Sequence, residues 1–115
     1  MDVYMLVVAD EIEEVKAEVI EAVSQALDDE KLRGELINEC SSDAPDEWRI
    51  GIQVSLNKKK FLQEPLNFLN SVAKQHKIDF VVGFIENGEA EDICYFGHHE
   101  GKPDLFEVGT YLGLK

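Results

Sequence analysis

The sequence predicts an α/β protein of the α+β kind, a single two-layer domain in which helices pack on a four-stranded mixed sheet. Three stretches carry this prediction. Residues Phe80–Phe96 place apolar runs on both sides of Asn87-Gly88, which supplies the positive φ angles of a tight hairpin turn. Residues Trp48–Leu56 alternate apolar and polar side chains like a half-buried strand, and Ile12–Leu27 repeat apolar residues at helical spacing. The predicted element order is βα(α)βαββα.

The first predicted strand is Val3–Ala9, a short apolar run rich in β-branched residues that we expect to be buried on both faces. Asp10 is the predicted N-cap of the following helix, and Glu13 completes a capping box three residues later. This helix extends to about Leu27, with its apolar residues on one stripe. The opposite side carries Glu11, Glu14, Glu18, Glu21 and Gln25.

Two interpretations are open for Asp28–Cys40. Apolar residues such as Leu32 and Leu36 favour a second short helix after a break at Asp28, and this is the interpretation we prefer. Gly34 weakens that helix, so a strand over Glu35–Cys40 is the alternative. The following residues, Ser41–Glu47, form a loop by composition.

The second half of the chain contains a predicted helix, Pro65–Gln75, followed by the hairpin. Pro65 suits a first helical turn because it lacks a donor and fixes φ, and it pushes Glu64 out of the α region. In the hairpin, Phe80–Glu86 is apolar on both faces and Asp92–Phe96 is its partner strand. Helical connections between strands predict right-handed crossovers wherever two strands are parallel.

A turn-rich loop, Gly97–Asp104, leads into a last short helix. Asp104 is its predicted N-cap, with Glu107 three residues on as the capping-box partner, and Gly113 ends the helix.

The charge of the chain is strongly acidic and uneven. The net charge is −13, and residues 1–47 carry 15 acidic residues against three basic ones, whereas residues 48–115 have a net charge of −1. Direct nucleic-acid binding is disfavoured because neutralising phosphates needs positive charge, and an anionic membrane surface is disfavoured for the same reason. A basic protein partner is favoured.

Several observations together predict a cytoplasmic protein. The first ten residues have an acid at position 2 and no basic flank, unlike a signal or transit peptide. No apolar run approaches the length of a membrane span. Cys40 and Cys94 lack CxxC or Cys/His ligand spacing, so free thiols are expected rather than a disulfide.

A group of metal-ligand residue types lies after the hairpin, where His98, His99 and Glu100 follow Cys94 closely. These are zinc-ligand types, so a small metal-dependent enzyme is one alternative function. We favour an exposed or structural role, because adjacent histidines often point apart and Cys94 falls in a predicted strand. No catalytic motif stands out in the chain, so we expect no enzyme activity, bound metal or cofactor.

The predicted partner-binding surface is acidic. Along the first helix, acids repeat with little basic compensation, and like charges four residues apart reduce helix stability slightly. A charged helix surface also promotes solubility alone, which is the simpler explanation. The residues proposed to bind a partner are Glu11, Glu14, Glu18, Glu21, Asp28, Asp29 and Glu30, with His98, His99 and Glu100 as a second patch.

The chain resembles the immunity proteins of bacterial toxin systems, including those of contact-dependent growth inhibition. The resemblance lies in its small size, acidity and α/β character, and in the run YFGHHEGKPDLFEVGTYLGL near the C-terminus. It implies a cytoplasmic protein that neutralises a cognate toxin domain, commonly a basic nuclease, by covering its active site or an adjoining surface. It transfers no individual functional residue. A regulatory or adaptor domain that self-associates through its sheet edge is a further alternative.

Overall fold

A computed structural model describes residues 1–40 and 48–114, so the predicted loop over residues 41–47 lies outside the described residues. Within the described ranges the chain forms a five-stranded sheet, three α-helices and one short 3-10 helix. In chain order the elements are β1 (Asp2–Val8), α1 (Ile12–Asp28), β2 (Glu35–Cys40), β3 (Trp48–Ser55), the 3-10 helix (Lys59–Leu62), α2 (Gln63–His76), β4 (Asp79–Glu86), β5 (Glu89–Gly97) and α3 (Leu105–Tyr111).

The sheet has the strand order β2-β3-β1-β4-β5, and every neighbouring pair is antiparallel. The α+β class is therefore confirmed, whereas the predicted four-stranded mixed sheet is wrong. Sequence pattern alone did not reveal strand direction, because a helix-containing connection also joins antiparallel strands. The hairpin prediction is confirmed, with Asn87 and Gly88 at φ angles of 55° and 80° between β4 and β5.

The preferred second helix within Asp28–Cys40 is also wrong, and the alternative strand is present as β2. Helix α1 ends at Asp28, and Glu30 and Gly34 then adopt positive φ angles of 59° and 127°. A Cβ atom at Gly34 would lie 2.6 Å from the backbone oxygen of Gln53 on β3. Gly34 therefore lets the chain enter the sheet edge beside β3, a tertiary contact that local helix propensity does not reveal.

The three helix starts differ in how well the sequence predicted them. Asp10 is not the cap of α1, because Glu11 occupies the N-cap position and no side chain caps the helix there. Helix α2 begins two residues before the predicted start and holds Pro65 in its first turn, where the missing donor has no intrahelical partner to lose. The cap of α3 is confirmed, since Asp104 accepts hydrogen bonds from the amides of Phe106 and Glu107.

One hydrophobic core joins the three helices to a single face of the sheet. On the strands it contains Val3, Met5, Val7, Ile50, Ile52, Val54, Phe80, Val82 and Phe96. On the helices its buried side chains are Val19, Val23, Ala26, Leu66, Leu69, Val72, Ala73 and Val108. The rings of Phe80 and Phe96 stack at 5.5 Å between centroids. The core leaves the solvent side of α1 and the second face of the sheet outside it.

Candidate acidic binding site

The solvent side of α1 and the turn after it form a continuous acidic surface. All seven predicted acids are exposed: Glu11, Glu14, Glu18, Glu21, Asp28, Asp29 and Glu30. We call these seven residues the acidic surface. Among the residues that the structure describes, the ion pair found is Arg49 with Glu39 at 3.8 Å, and it involves none of them. Within residues 1–40 and 48–114, the acidic surface therefore has no cation paired with it.

Lys16 is the only base within α1, and its ammonium contacts Trp48 and not the acidic surface. Its ammonium lies 3.5 Å from the ring centroid of Trp48, a cation–π contact with the first residue of β3. The indole nitrogen of Trp48 lies 3.4 Å from a carboxylate oxygen of Glu13, to which it donates a hydrogen bond. Lys16 thus helps to hold α1 against β3, and it forms no ion pair with the acidic surface.

Glu11 and Glu14 lie close enough for their carboxyl groups to interact directly. The hydrogen bond that the protonated Glu14 carboxyl donates to Glu11, and secondly the negative charge of Glu11, raise the pKa of Glu14. A cation placed beside these two carboxyl groups would favour the ionised form of Glu14 and so offset the rise in its pKa.

The start of the acidic surface opens into a groove at one end of the sheet. The groove has a volume of about 570 Å³ and lies where β1 leads into α1 and α2 leads into β4. Glu11, Glu14 and His99 all line it, so the two patches predicted from sequence meet there, and Lys77 and His76 at the end of α2 line it as well. The other predicted residues do not line the groove: Glu18, Glu21, Asp28, Asp29 and Glu30 lie further along the chain, and His98 and Glu100 are exposed on the loop beside it.

Asp79 organises the loop that carries His99. This residue is only 9% exposed, and its Oδ1 accepts hydrogen bonds from the amides of His99 at 2.9 Å and Glu100 at 3.1 Å. The amide of His98 donates to the carbonyl of Ile78, also next to the groove. The sequence did not single out Asp79, which there is only an acid at the start of an apolar strand. Its role as an acceptor for the amides of His99 and Glu100 depends on contact between segments about 20 residues apart.

Replacing Asp79 with alanine is expected to destabilise the protein by about 2 kcal/mol, because two amides lose a buried charged acceptor. Asp79→Asn is the matched control, since it retains an acceptor oxygen and should lose less. Urea unfolding measures the stability, and hydrogen exchange at the His99 and Glu100 amides measures the loop. Exchange rates at these two amides that match the wild type in Asp79→Ala would contradict this role.

The ligand types proposed for a metal site do not converge. Cys94 lies on β5, opposite Val82 on the core face of the sheet, and packs against the core. Burial, and secondly the charge of Glu107, raise the pKa of its thiol, which disfavours the thiolate that a metal or a nucleophilic reaction needs. His98 and His99 are both exposed. In the described part of the chain, no group of three or more His, Cys, Asp or Glu residues is placed to hold a metal ion.

No protein-family model, curated protein sequence or solved structure matches this chain. Among the described helices, none combines the length and the apolar character needed to span a membrane. The candidate functional site is therefore the acidic surface, with the groove into which Glu11 and Glu14 open.

Proposed function

We propose that this protein is a toxin-neutralising immunity protein that binds and blocks a cognate basic toxin domain. The observation that carries the proposal is the acidic surface, whose seven exposed carboxylates have no paired cation among the described residues. A surface of this kind attracts a basic partner over a distance comparable to the Debye length, about 8 Å at physiological salt.

Inhibition follows from charge mimicry. A toxin that acts on nucleic acid needs a positive surface to hold phosphates. A protein with a net charge of −13 competes for that surface and covers it stoichiometrically, without performing any chemistry itself. Its size, 115 residues, is sufficient to bury an interface of about 800 Å² on each partner.

The groove gives this binding a specific anchor. A lysine or arginine of the toxin that enters between Glu11 and Glu14 stabilises both ionised carboxylates and lowers the raised pKa of Glu14. Acidification through that pKa protonates Glu14 and removes one of the two carboxylates that hold the cation. Binding at this anchor therefore weakens as the pH falls through the pKa of Glu14.

Self-association through a sheet edge receives less support from the structure. The edge strands β2 and β5 carry Glu35 and Glu39, and Glu89, Glu91 and Asp92, respectively. Strand β5 also has a register shift opposite Val82 and Gly83. Charged residues and bulges on edge strands oppose pairing between copies.

The proposed function is tested by mixing this protein with the C-terminal domain of the protein encoded immediately upstream. Immunity proteins are encoded beside their toxins, so this domain is the expected partner. We expect a one-to-one complex by light scattering and complete loss of toxin activity at an equimolar ratio. A toxin domain that stays active in the presence of excess protein would overturn the proposal.

A further inference from the structure

A second pocket lies at the opposite end of the sheet from the groove. It has a volume of about 520 Å³ and is formed where β3 leads through the 3-10 helix into α2, beside the turn between α1 and β2. Ser55, which lines it, pairs with Asp2 at the start of β1, whereas the groove lies at the other end of that strand. We call this cavity, which Arg33, Lys60 and Phe61 also line, the distal pocket. Its volume falls within the range of about 300–1,000 Å³ that is typical of small-ligand pockets.

The floor of the distal pocket is apolar. Val54, Leu56 and Pro65 line it, and all three are buried. Phe61 lies at the rim and is 46% exposed, whereas the next residue, Leu62, is fully buried and anchors the 3-10 helix in the core. Because its backbone is held in this way, Phe61 presents a ring on which a planar apolar group can stack.

Arg33 reaches the distal pocket from the turn between α1 and β2. Its two neighbours fix the backbone there: Leu32 is 2% exposed in the core, and Gly34 has a φ angle of 127° beside β3. A Cβ atom on Gly34 would lie 3.3 Å from the Cβ atom of Val54, which lines the pocket. The backbone of Arg33 is therefore held beside the pocket floor.

Lys60 lies on the 3-10 helix, where neighbouring lysines have different roles. Lys59 donates a hydrogen bond to Oγ1 of Thr110 at 3.2 Å, and its ammonium lies 4.3 Å from the ring centroid of Phe106, so it holds α3 against the 3-10 helix. Lys60 instead lines the distal pocket, with its ammonium 5.2 Å from the ring centroid of Phe61. The pocket thus combines a positive charge with an aromatic ring.

The charges at the distal pocket favour an anion. Arg33 and Lys60 line it together with one acid, Glu64 in the first turn of α2, so these side chains have a net charge of +1 in a protein whose total is −13. In the part of the chain that the structure describes, the ion pair found is Arg49 with Glu39, so neither cation of the pocket is paired with Glu64. Both cations are therefore available to a ligand.

We infer that the distal pocket binds a small aromatic carboxylate. The ring stacks on Phe61 over the apolar floor, where it is removed from water, and the carboxylate accepts charge-assisted hydrogen bonds from Arg33 and Lys60. A monoanion matches the net charge of +1 that Glu64 leaves at the pocket. This inference does not depend on the proposed function.

The test compares naphthoate with naphthylmethanol, which carries the same ring without the charge, by titrating the amide signals of the protein in NMR spectra. We expect naphthoate to bind with a dissociation constant below about 1 mM and naphthylmethanol to bind at least about tenfold more weakly, because hydrogen bonds to the carboxylate are lost. The amides of Ser55, Asn57 and Phe61 should shift with saturation, whereas those of Glu11 and Glu14 in the groove should not.

Two variants that each remove one charge locate the binding. Arg33→Gln and Lys60→Gln should each weaken naphthoate binding about tenfold and leave naphthylmethanol binding unchanged. Lys74→Gln is the matched control, since Lys74 is an exposed lysine of α2 outside the pocket, and it should change the affinity less than about twofold. All three side chains are exposed, so the variants should remain folded, which circular dichroism checks.

Equal affinities for naphthoate and naphthylmethanol would overturn the inference, because the cations would then contribute nothing. Equal effects of Lys74→Gln and the two pocket variants would overturn it as well, since binding would then follow the total charge of the protein. The absence of a saturable shift at the amides of the distal pocket would contradict it directly.

Discussion

Replacing Gly51 with alanine is expected to destabilise the protein by about 3 kcal/mol or more, the largest effect of any single substitution proposed here. Gly51 lies on β3, between β1 and β2. A Cβ atom there would overlap the backbone oxygen of Met5 and lie 2.9 Å from the Cα of Leu6. Both neighbours are backbone atoms of the central strand, so they have no rotamer with which to move away. Chemical denaturation followed by circular dichroism measures the loss.

Gly88→Ala is the control for this prediction. Gly88 has a φ angle of 80° in the hairpin turn, but no atom lies within 4 Å of an added Cβ. Its replacement should therefore destabilise the protein by only about 1 kcal/mol, the strain of a left-handed conformation. Equal losses for the two variants would show that close approach of β1 to β3 does not determine the effect at Gly51.

Reversing Glu11, Glu14, Glu18 and Glu21 to lysine is expected to reduce the affinity for the toxin domain by about 100-fold at low salt. Four reversals change the net charge from −13 to −5 and remove the field that steers a basic partner. The side chains are exposed, and lysine has a helix propensity similar to that of glutamate, so α1 should remain folded. Isothermal titration calorimetry measures the affinity.

The matched control reverses four exposed acids that belong neither to the acidic surface nor to its groove. Glu64, Glu86, Glu89 and Glu107 give the same change in net charge. If binding depends on the position of the carboxylates, this control should lose much less affinity than the α1 variant. A similar loss in both would indicate that net charge alone, and not the acidic surface, determines binding.

The sequence predicts those elements whose pattern is local. Asn87-Gly88 specifies a hairpin because its positive φ angles are needed in the turn itself, and Asp104 caps α3 with amides only two and three residues away. The sequence favoured a helix where strand β2 lies. Gly34 is needed there because the chain passes close to the backbone of Gln53, which is 19 residues distant in the sequence. Local propensity contains no information about such a contact.

The candidate site was predictable in part for the same reason. Helical periodicity places Glu14, Glu18 and Glu21 of α1 on the solvent side with Glu11 at its N-cap, and the structure has all four exposed. The groove brings residues near 10, 77 and 99 together at one end of the sheet. It does not follow from a local pattern, because sheet order and strand direction determine it.

The central claim is that the acidic surface steers a basic partner to this protein. Stopped-flow measurement of the association rate constant with the toxin domain, at low and high salt, tests it most directly. The measurement compares the wild type with the variant in which Glu11, Glu14, Glu18 and Glu21 are lysine. If the acidic surface steers the partner, the wild-type rate constant should fall at least about tenfold as salt is raised from about 10 mM to 1 M, while the variant rate constant should be low and change little. A wild-type rate constant that is independent of salt and equal to that of the variant would contradict charge-complementary binding through α1.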